Sequence, residues 1–357
     1  MQKRIKKVRE IIADSEFDSL LIDSDVNRFY LTGFTGSAGR VLFTPKKEYF
    51  ITDFRYTEQA EDQTDGFEII ELNKDVVESI NDILQEDGTE KLGFEAKTVN
   101  YYQYGKYNEK FKDIELISTE DLIKDIRMTK DENEIELIKK AIDISDKAYD
   151  HILEFIEPGM TEKEVALELE ITQKKLGGEK NAFDFIVASG ERSSMPHGVA
   201  SDKVIKENEL ITLDFGTFYK GYCSDMTRTF VLGQASEKQK EVYNTVLKAQ
   251  QAVIDQIKAG MTGVEADKIA RDIIKEAGYG DNFGHGLGHG IGVEVHEGPT
   301  ASYKSEDTII ENSIVTDEPG IYIKGWGGVR IEDDLLITKD GCEVLNSSPK
   351  ELIEVPV

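Results

Sequence analysis

The chain has 357 residues, 39% of them hydrophobic, and its 43 Lys and Arg against 70 Asp and Glu leave a net charge of −27. That length exceeds one ordinary core and points to two domains. The charge argues against a nucleic-acid or anionic-membrane partner, for which no basic stripe exists, and no run approaches the ~20 apolar residues that span a bilayer.

The start, "MQKRIKKVREIIADSEFDSLLI", is basic but lacks the apolar core and cleavage site of a secretory leader, so a cytoplasmic location is expected. Cys223 and Cys342 form no CxxC and no ligand cluster, and are expected to be reduced, partly buried thiols. Residues 1–123 read as a small α/β domain. "SLLIDS" (19–24), "GRVLFTP" (39–45), "EYFIT" (48–52) and "KLGFEA" (91–96) have strand length, while "DVVESINDILQEDG" (75–88) has helical spacing and a Gly stop. This domain carries no histidine and little that points to chemistry.

The second domain, 124–357, opens on one long amphipathic helix, marked by Ile135, Ile138, Ile142 and Ile144 and ended at Pro158-Gly159. Helical segments at 161–175, 237–258 and 263–277 alternate with strand-like pieces, which predicts an α+β fold. All five histidines lie in this half. His151, on the long helix, reads as surface or packing.

Within "ELITLDFGTFYKGYCSDMTRTFVLG" (209–233), two alternating arms flank a Tyr-Lys-Gly turn, a hairpin with Asp214 on one arm and Asp225 on the other. Read alone, the pair is more often two surface aspartates on exposed strands. In strands this apolar, however, an aspartate needs a partner or a metal. In "NSIVTDEPGIYIKGWGGVRIEDDLLIT" (312–338), Glu318 ends an apolar run, and alternation puts Arg330, Glu332 and Asp334 on one face. Asp333 and Asp334 are not expected to be ligands and could equally be solvated.

"FGHGLGHGIGVEVHEGP" (283–299) holds His285, His289 and His296 among six glycines. So many glycines, each costing roughly 1 kcal/mol in a helix relative to alanine, exclude a helical zinc pair. No strand precedes them and no acid follows at the spacing of a dinucleotide loop. Backbone passing close over a crowded centre would need glycine. Each histidine alone is more often structural; beside four strand acids, the set is better explained by metal. Four carboxylates leave two negative charges beside one dication and about one beside two dications and a hydroxide. Two ions are therefore expected, Mn²⁺ first, with Co²⁺, Zn²⁺ or Fe²⁺ as alternatives.

These motifs resemble the "pita-bread" metallopeptidases: "LDFG", "SDMTRTF", "GHGLGHGIG", "DEPGIY" and "VRIED" occur in that family's order. "YLTGFTGSAG" (30–39) and "TDFRYTEQA" (52–60) are similar to the amino-terminal domain of Xaa-Pro aminopeptidases, and "FDFIVASGERSSMPHG" (183–198) to the family's substrate-side loop. The resemblance implies a carboxyl-terminal pita-bread (creatinase/aminopeptidase-like) catalytic domain behind a smaller creatinase-like α/β domain. That first domain would limit substrate length and build the contact of a homodimer or higher homo-oligomer. Asp214 would bind one ion and His289 and Glu318 the other, with Asp225 and Glu332 bridging both. A shared hydroxide would attack the Xaa-Pro bond of a proline-containing peptide, and Glu318 would pass the proton to the leaving nitrogen. His197 and His296 would orient the carbonyl and Arg330 the acidic ligands. Phe183, Phe185 and Tyr322 are candidates to wall the proline pocket, though core packing is the commoner role for each, and His285 would shape the pocket or be structural. The activity implied is aminopeptidase release of the residue before proline, with Xaa-Pro dipeptidase (prolidase) as the alternative. Creatinase lacks the ligand set, and methionine aminopeptidases lack the first domain. A non-catalytic peptide-binding protein on this fold is disfavoured because no ligand is missing.

Overall fold

A computed structural model describes residues 2–357, which form two compact units dividing between Arg127 and Met128. In the first unit, six strands alternate with helices: α1 (Gln2–Ala13), β1 (Ser19–Ile22), α2 (Asp25–Thr32), β2 (Arg40–Phe43), β3 (Glu48–Thr52), α3 (Thr57–Gln63), β4 (Glu68–Glu71), α4 (Val76–Asp87), β5 (Lys91–Glu95), α5 (Tyr101–Lys110) and β6 (Glu115–Thr119). They make one mixed sheet in the order β4-β3-β2-β1-β5-β6. Its central strands are apolar and fully buried, as sheets covered on both faces require.

The expected long helix is two. A short α6 (Leu122–Met128), in which the two units divide, is separated from α7 (Glu132–Phe155) by a turn. The break is written in the residues: Asp131 accepts from the Glu134 amide while the Glu134 side chain accepts from the Asp131 amide, a capping box that starts a new helix. Lys130, just ahead of it, is buried on Glu297 at 2.7 Å.

The second unit continues with α8 (Glu162–Lys175), β7 (Ile186–Ser189), β8 (Glu209–Phe215), the two-residue strands β9 (Phe218–Tyr219) and β10 (Tyr222–Cys223), β11 (Met226–Leu232), α9 (Glu237–Gln256) and α10 (Gly263–Glu276). Then come β12 (Gly288–Gly290), β13 (Glu297–Ala301), β14 (Ile314–Asp317), β15 (Gly320–Ile323), β16 (Gly327–Arg330), β17 (Asp333–Ile337), β18 (Cys342–Val344) and β19 (Glu354–Val355). Two main sheets result, β19-β11-β8-β7 and β13-β12-β14-β17-β18, with the β15–β16 hairpin beside them. Tyr149 and Ile152 of α7 and Val165 and Leu169 of α8 pack on Val187, Leu213 and Phe230 of the first sheet. Val246 and Val253 of α9 and Ala270 and Ile274 of α10 pack with Leu287, Val315 and Leu335 on the second. Among the described residues, no helix is long and apolar enough to cross a membrane.

Between β8 and β11 the chain turns through β9 and β10, and Gly216 is pinched where the hairpin narrows. A Cβ there would stand 1.9 Å from the Ser224 carbonyl oxygen, a backbone atom that cannot step aside. Gly216→Ala is therefore expected to cost about 1–3 kcal/mol of stability, read as a lower denaturant midpoint; an unchanged midpoint would refute the fit.

Candidate metal centre

Four of the five expected ligands arise at strand ends or in the joint between two strands, and the fifth, His289, within a short strand, where backbone pairing fixes each Cα. Asp214 lies opposite Thr227 in the β8–β11 register, so Asp225, two residues earlier, stands diagonally across on the same face. The Asp225 amide donates to Asp334 Oδ2 at 3.2 Å. Glu332 occupies the joint between β16 and β17, and its amide donates to the Thr227 carbonyl at 3.0 Å. Glu318 follows β14, its amide held by the Leu287 carbonyl at 2.9 Å. His289 is the middle residue of β12, with its amide on Thr316 Oγ1 at 3.0 Å.

The glycines around His289 now have a reason. A Cβ on Gly288 would lie 2.0 Å from the Thr316 carbonyl oxygen, and one on Gly290 2.1 Å from that of Gly298. The strand that carries the imidazole is wedged between the backbones of β13 and β14, and only glycine fits on either side of it.

One ligand atom from each of Asp225, His289 and Glu332 lies within 4.8 Å of the others. His289 Nε2 is 3.7 Å from Asp225 Oδ2 and 3.5 Å from Glu318 Oε1. Asp214 sits beside them, held by the Arg330 guanidinium. Burial raises the pKa of all four carboxyls above the usual carboxylate range, with mutual repulsion reinforcing it at Asp225, Glu318 and Glu332. Glu318 is pushed up to about 8, chiefly by burial, against the opposing pull of Arg330. His289 is pushed down to about 3 by burial and by His296, so its imidazole is neutral and keeps a lone pair to donate. Four acids facing one guanidinium and a neutral imidazole are short of positive charge. A divalent cation supplies it, and a donor set rich in oxygen with one nitrogen suits a hard-to-borderline ion. The residues fit the metal.

A relay of hydrogen bonds supports the acids. Arg330 donates to Asp214, to the Tyr322 hydroxyl at 2.7 Å and to the Pro196 carbonyl at 3.3 Å. The Tyr322 hydroxyl also meets His285 Nε2 at 2.9 Å. Burial lowers the His285 pKa to about 4. His296 is exposed, with its ring centroid 4.2 Å from that of His289. His197 is exposed too, on the loop after β7, within electrostatic reach of Asp214, His285 and His296. Phe183 is half-buried. Phe185 takes the packing role rather than a place in the pocket: it is a core residue, edge-on against Phe215 at 6.0 Å, with its side chain in the α7–α8 layer. His151 sits on its helix face beside Glu168 at 2.7 Å.

The sequence reading missed Thr227. Its hydroxyl donates to Glu332 Oε2 at 2.6 Å and accepts from Arg330 Nε at 2.9 Å, joining an acid of the centre to the guanidinium. The alternation of "DMTRTF" puts Thr227 on the face of Asp225, which is the one signal that points to it. Asp333 and Asp334 are not solvated but fully buried. Asp334 braces the Asp225 amide, while Asp333 is ion-paired with Arg228 and Lys350, each at 2.7 Å.

Residues 4–129 match the model of the creatinase/prolidase N-terminal domain, and residues 136–339 that of metallopeptidase family M24. An uncharacterized peptidase of Bacillus subtilis is 48% identical across 98% of this chain and 99% of its own. The solved structure of an Xaa-Pro dipeptidase from Bacillus anthracis is 47% identical, with a TM-score of 0.97 over 100% of this chain and 99% of that one. That of an X-Pro aminopeptidase from Thermotoga maritima is 41% identical, with a TM-score of 0.92 over 99% and 100%.

The raised carboxyls set the sign of a pH effect. An acid whose folded pKa lies above its unfolded value holds a proton that unfolding releases, so stability falls as pH rises between the two values. For Glu318 that window runs from 4.5 to about 8. Chelator-stripped protein is expected to lose melting temperature across this window, and a divalent cation to remove the slope. Calorimetry at several pH values checks this; a flat profile without metal would count against the charge accounting.

Proposed function

This chain belongs to metallopeptidase family M24, and from that premise we propose that it hydrolyses the bond between an amino-terminal residue and a following proline. In this reading Asp214, Asp225, His289, Glu318 and Glu332 hold two divalent cations, Mn²⁺ in the first instance. The observation that supports it is the convergence of Asp225, His289 and Glu332 within 4.8 Å, with Glu318 at 3.5 Å from the imidazole. When bound, the cations supply Lewis acidity and a water acidic enough to attack near neutral pH.

The chain's own groups do the rest. Glu318 is the carboxylate within reach that can pass a proton to the departing proline nitrogen. His197 and His296 present imidazoles on the open side, where they donate to the scissile carbonyl oxygen as charge develops on it. Arg330 and Thr227 keep Asp214 and Glu332 in their rotamers, so the acids need not reorganise during the reaction. Phe183, Tyr322 and His285 wall the pocket for the proline ring, whose tertiary amide has no N–H to offer.

Two substrate lengths remain in play. "TGFTGSAG" and "TDFRY" favour an aminopeptidase that accepts longer peptides. The 47% identity to an Xaa-Pro dipeptidase, against 41% to an X-Pro aminopeptidase, favours the dipeptide. Turnover of Ala-Pro and Ala-Pro-Ala by Mn²⁺-loaded protein separates them: efficient cleavage of the tripeptide marks an aminopeptidase, and cleavage of the dipeptide alone a prolidase. Failure on both would overturn the reading.

Asp225→Asn is expected to abolish turnover and lower bound metal while leaving circular dichroism unchanged, since it removes one charge from the centre of the cluster. Full activity in that variant would refute the ligand set.

A further inference from the structure

We infer that Glu162, which has no part in the centre described above, is a positioning residue whose carboxylate fixes the loop that carries His197. The inference rests on the role proposed for His197.

Glu162 is the first residue of α8 and is fully buried. It is not needed as a cap, because Thr161 and Glu164 form that box between them. Its two oxygens instead reach both ends of one segment. Oε1 accepts from the Ser189 amide at 2.8 Å and the Ser189 hydroxyl at 2.9 Å. Oε2 accepts from the Ser201 amide at 3.1 Å, the Ser201 hydroxyl at 2.7 Å and the Arg192 guanidinium. Arg192 carries the constraint onward, donating to the Val199 carbonyl at 2.9 Å, and the Val199 amide in turn donates to the His197 carbonyl at 2.9 Å.

The other flank of the loop is tied to the strand of Arg330. Ser193 Oγ accepts from the Gly328 amide at 2.8 Å, and the Pro196 carbonyl accepts from Arg330 at 3.3 Å. The His197 ring makes no hydrogen bond of its own among the described residues, so the bonds that hold this loop act on it through the backbone. Glu162 closes the base of the loop together with the Ile186–Val199 bridge and the Lys203 bond to Ser189 Oγ at 2.7 Å, and the geometry calls for a carboxylate at its place. Each oxygen faces a backbone N–H that cannot be turned round. Glutamine has one oxygen and one NH2, so either orientation of its amide sets donor against donor in a buried place.

The test is a double-mutant cycle on Mn²⁺-loaded full-length protein, measuring kcat on whichever of Ala-Pro and Ala-Pro-Ala it cleaves. Glu162→Gln is expected to lower kcat on the order of 10- to 100-fold, with metal content unchanged and faster amide exchange at Ser189 and Ser201. In a His197→Ala background the same change should cost less than about twofold, because the group it places is gone. Arg192→Met, which cuts the link to Val199 and spares the buried carboxylate, should act in the same direction and lose its effect in the same background. Wild-type kcat in Glu162→Gln overturns the inference, as do losses that multiply in full with His197→Ala. Should Glu162→Gln fail to fold, an unaffected Arg192→Met overturns it. A fully active His197→Ala removes the role proposed for that histidine, and this inference falls with it; an impaired His197→Ala beside a normal Glu162→Gln sinks this inference alone.

Discussion

Four buried or half-buried carboxyls crowd one face of this domain with, among the described residues, one guanidinium, that of Arg330, set against them, and much of the local structure answers to that constraint. Acids in such a place protonate, pair or bind cations. Arg330 accounts for Asp214. Among the described residues Asp225, Glu318 and Glu332 are ion-paired with no Lys or Arg, and their raised pKa values express that shortage. By contrast Asp333, adjacent to Glu332 but on the opposite face, has both Arg228 and Lys350, and its carboxyl lies below the usual range despite complete burial. Neighbours in sequence, the two acids differ because one has its counter-charge in the protein and the other does not.

The motifs of the centre were legible because each is a short stretch whose spacing dictates a face. The alternation around Asp214 and Asp225 translates directly into the β8–β11 register, and the glycines around His289 into a strand squeezed between two backbones. Composition also divided the chain into a half without histidine and a half that holds every one. The mixed sheet of the first unit was only partly readable. Its four apolar strands carried a signal, whereas β4 and β6, half exposed and acidic, carried none.

What stayed hidden depends on neighbours far away in sequence. Phe185 and Phe183 look alike in the chain, and only the packing of α7 and α8 sends one into the core. The long amphipathic pattern after residue 123 runs through a real helix break, because burial periodicity survives a turn while the capping box at Asp131 and Glu134 is easily overlooked inside a charged run. Thr227 and Glu162 are ordinary residue types at ordinary positions. Their importance is conferred by what they touch across more than a hundred positions in one case and from one end of a loop to the other in the second.

The joint at Glu332 also bears on how the molecule assembles. Its backbone is tied to Thr227, 105 positions back, and its flanking strands belong to different sheets. Contacts of that span close late, since the entropy of ordering the intervening chain must be overcome first. A partly folded chain thus has no place for a cation, and a cation captured by the finished protein would act as a clasp that slows its opening. Longevity against unfolding and hydrolytic competence would then be set by the same few side chains.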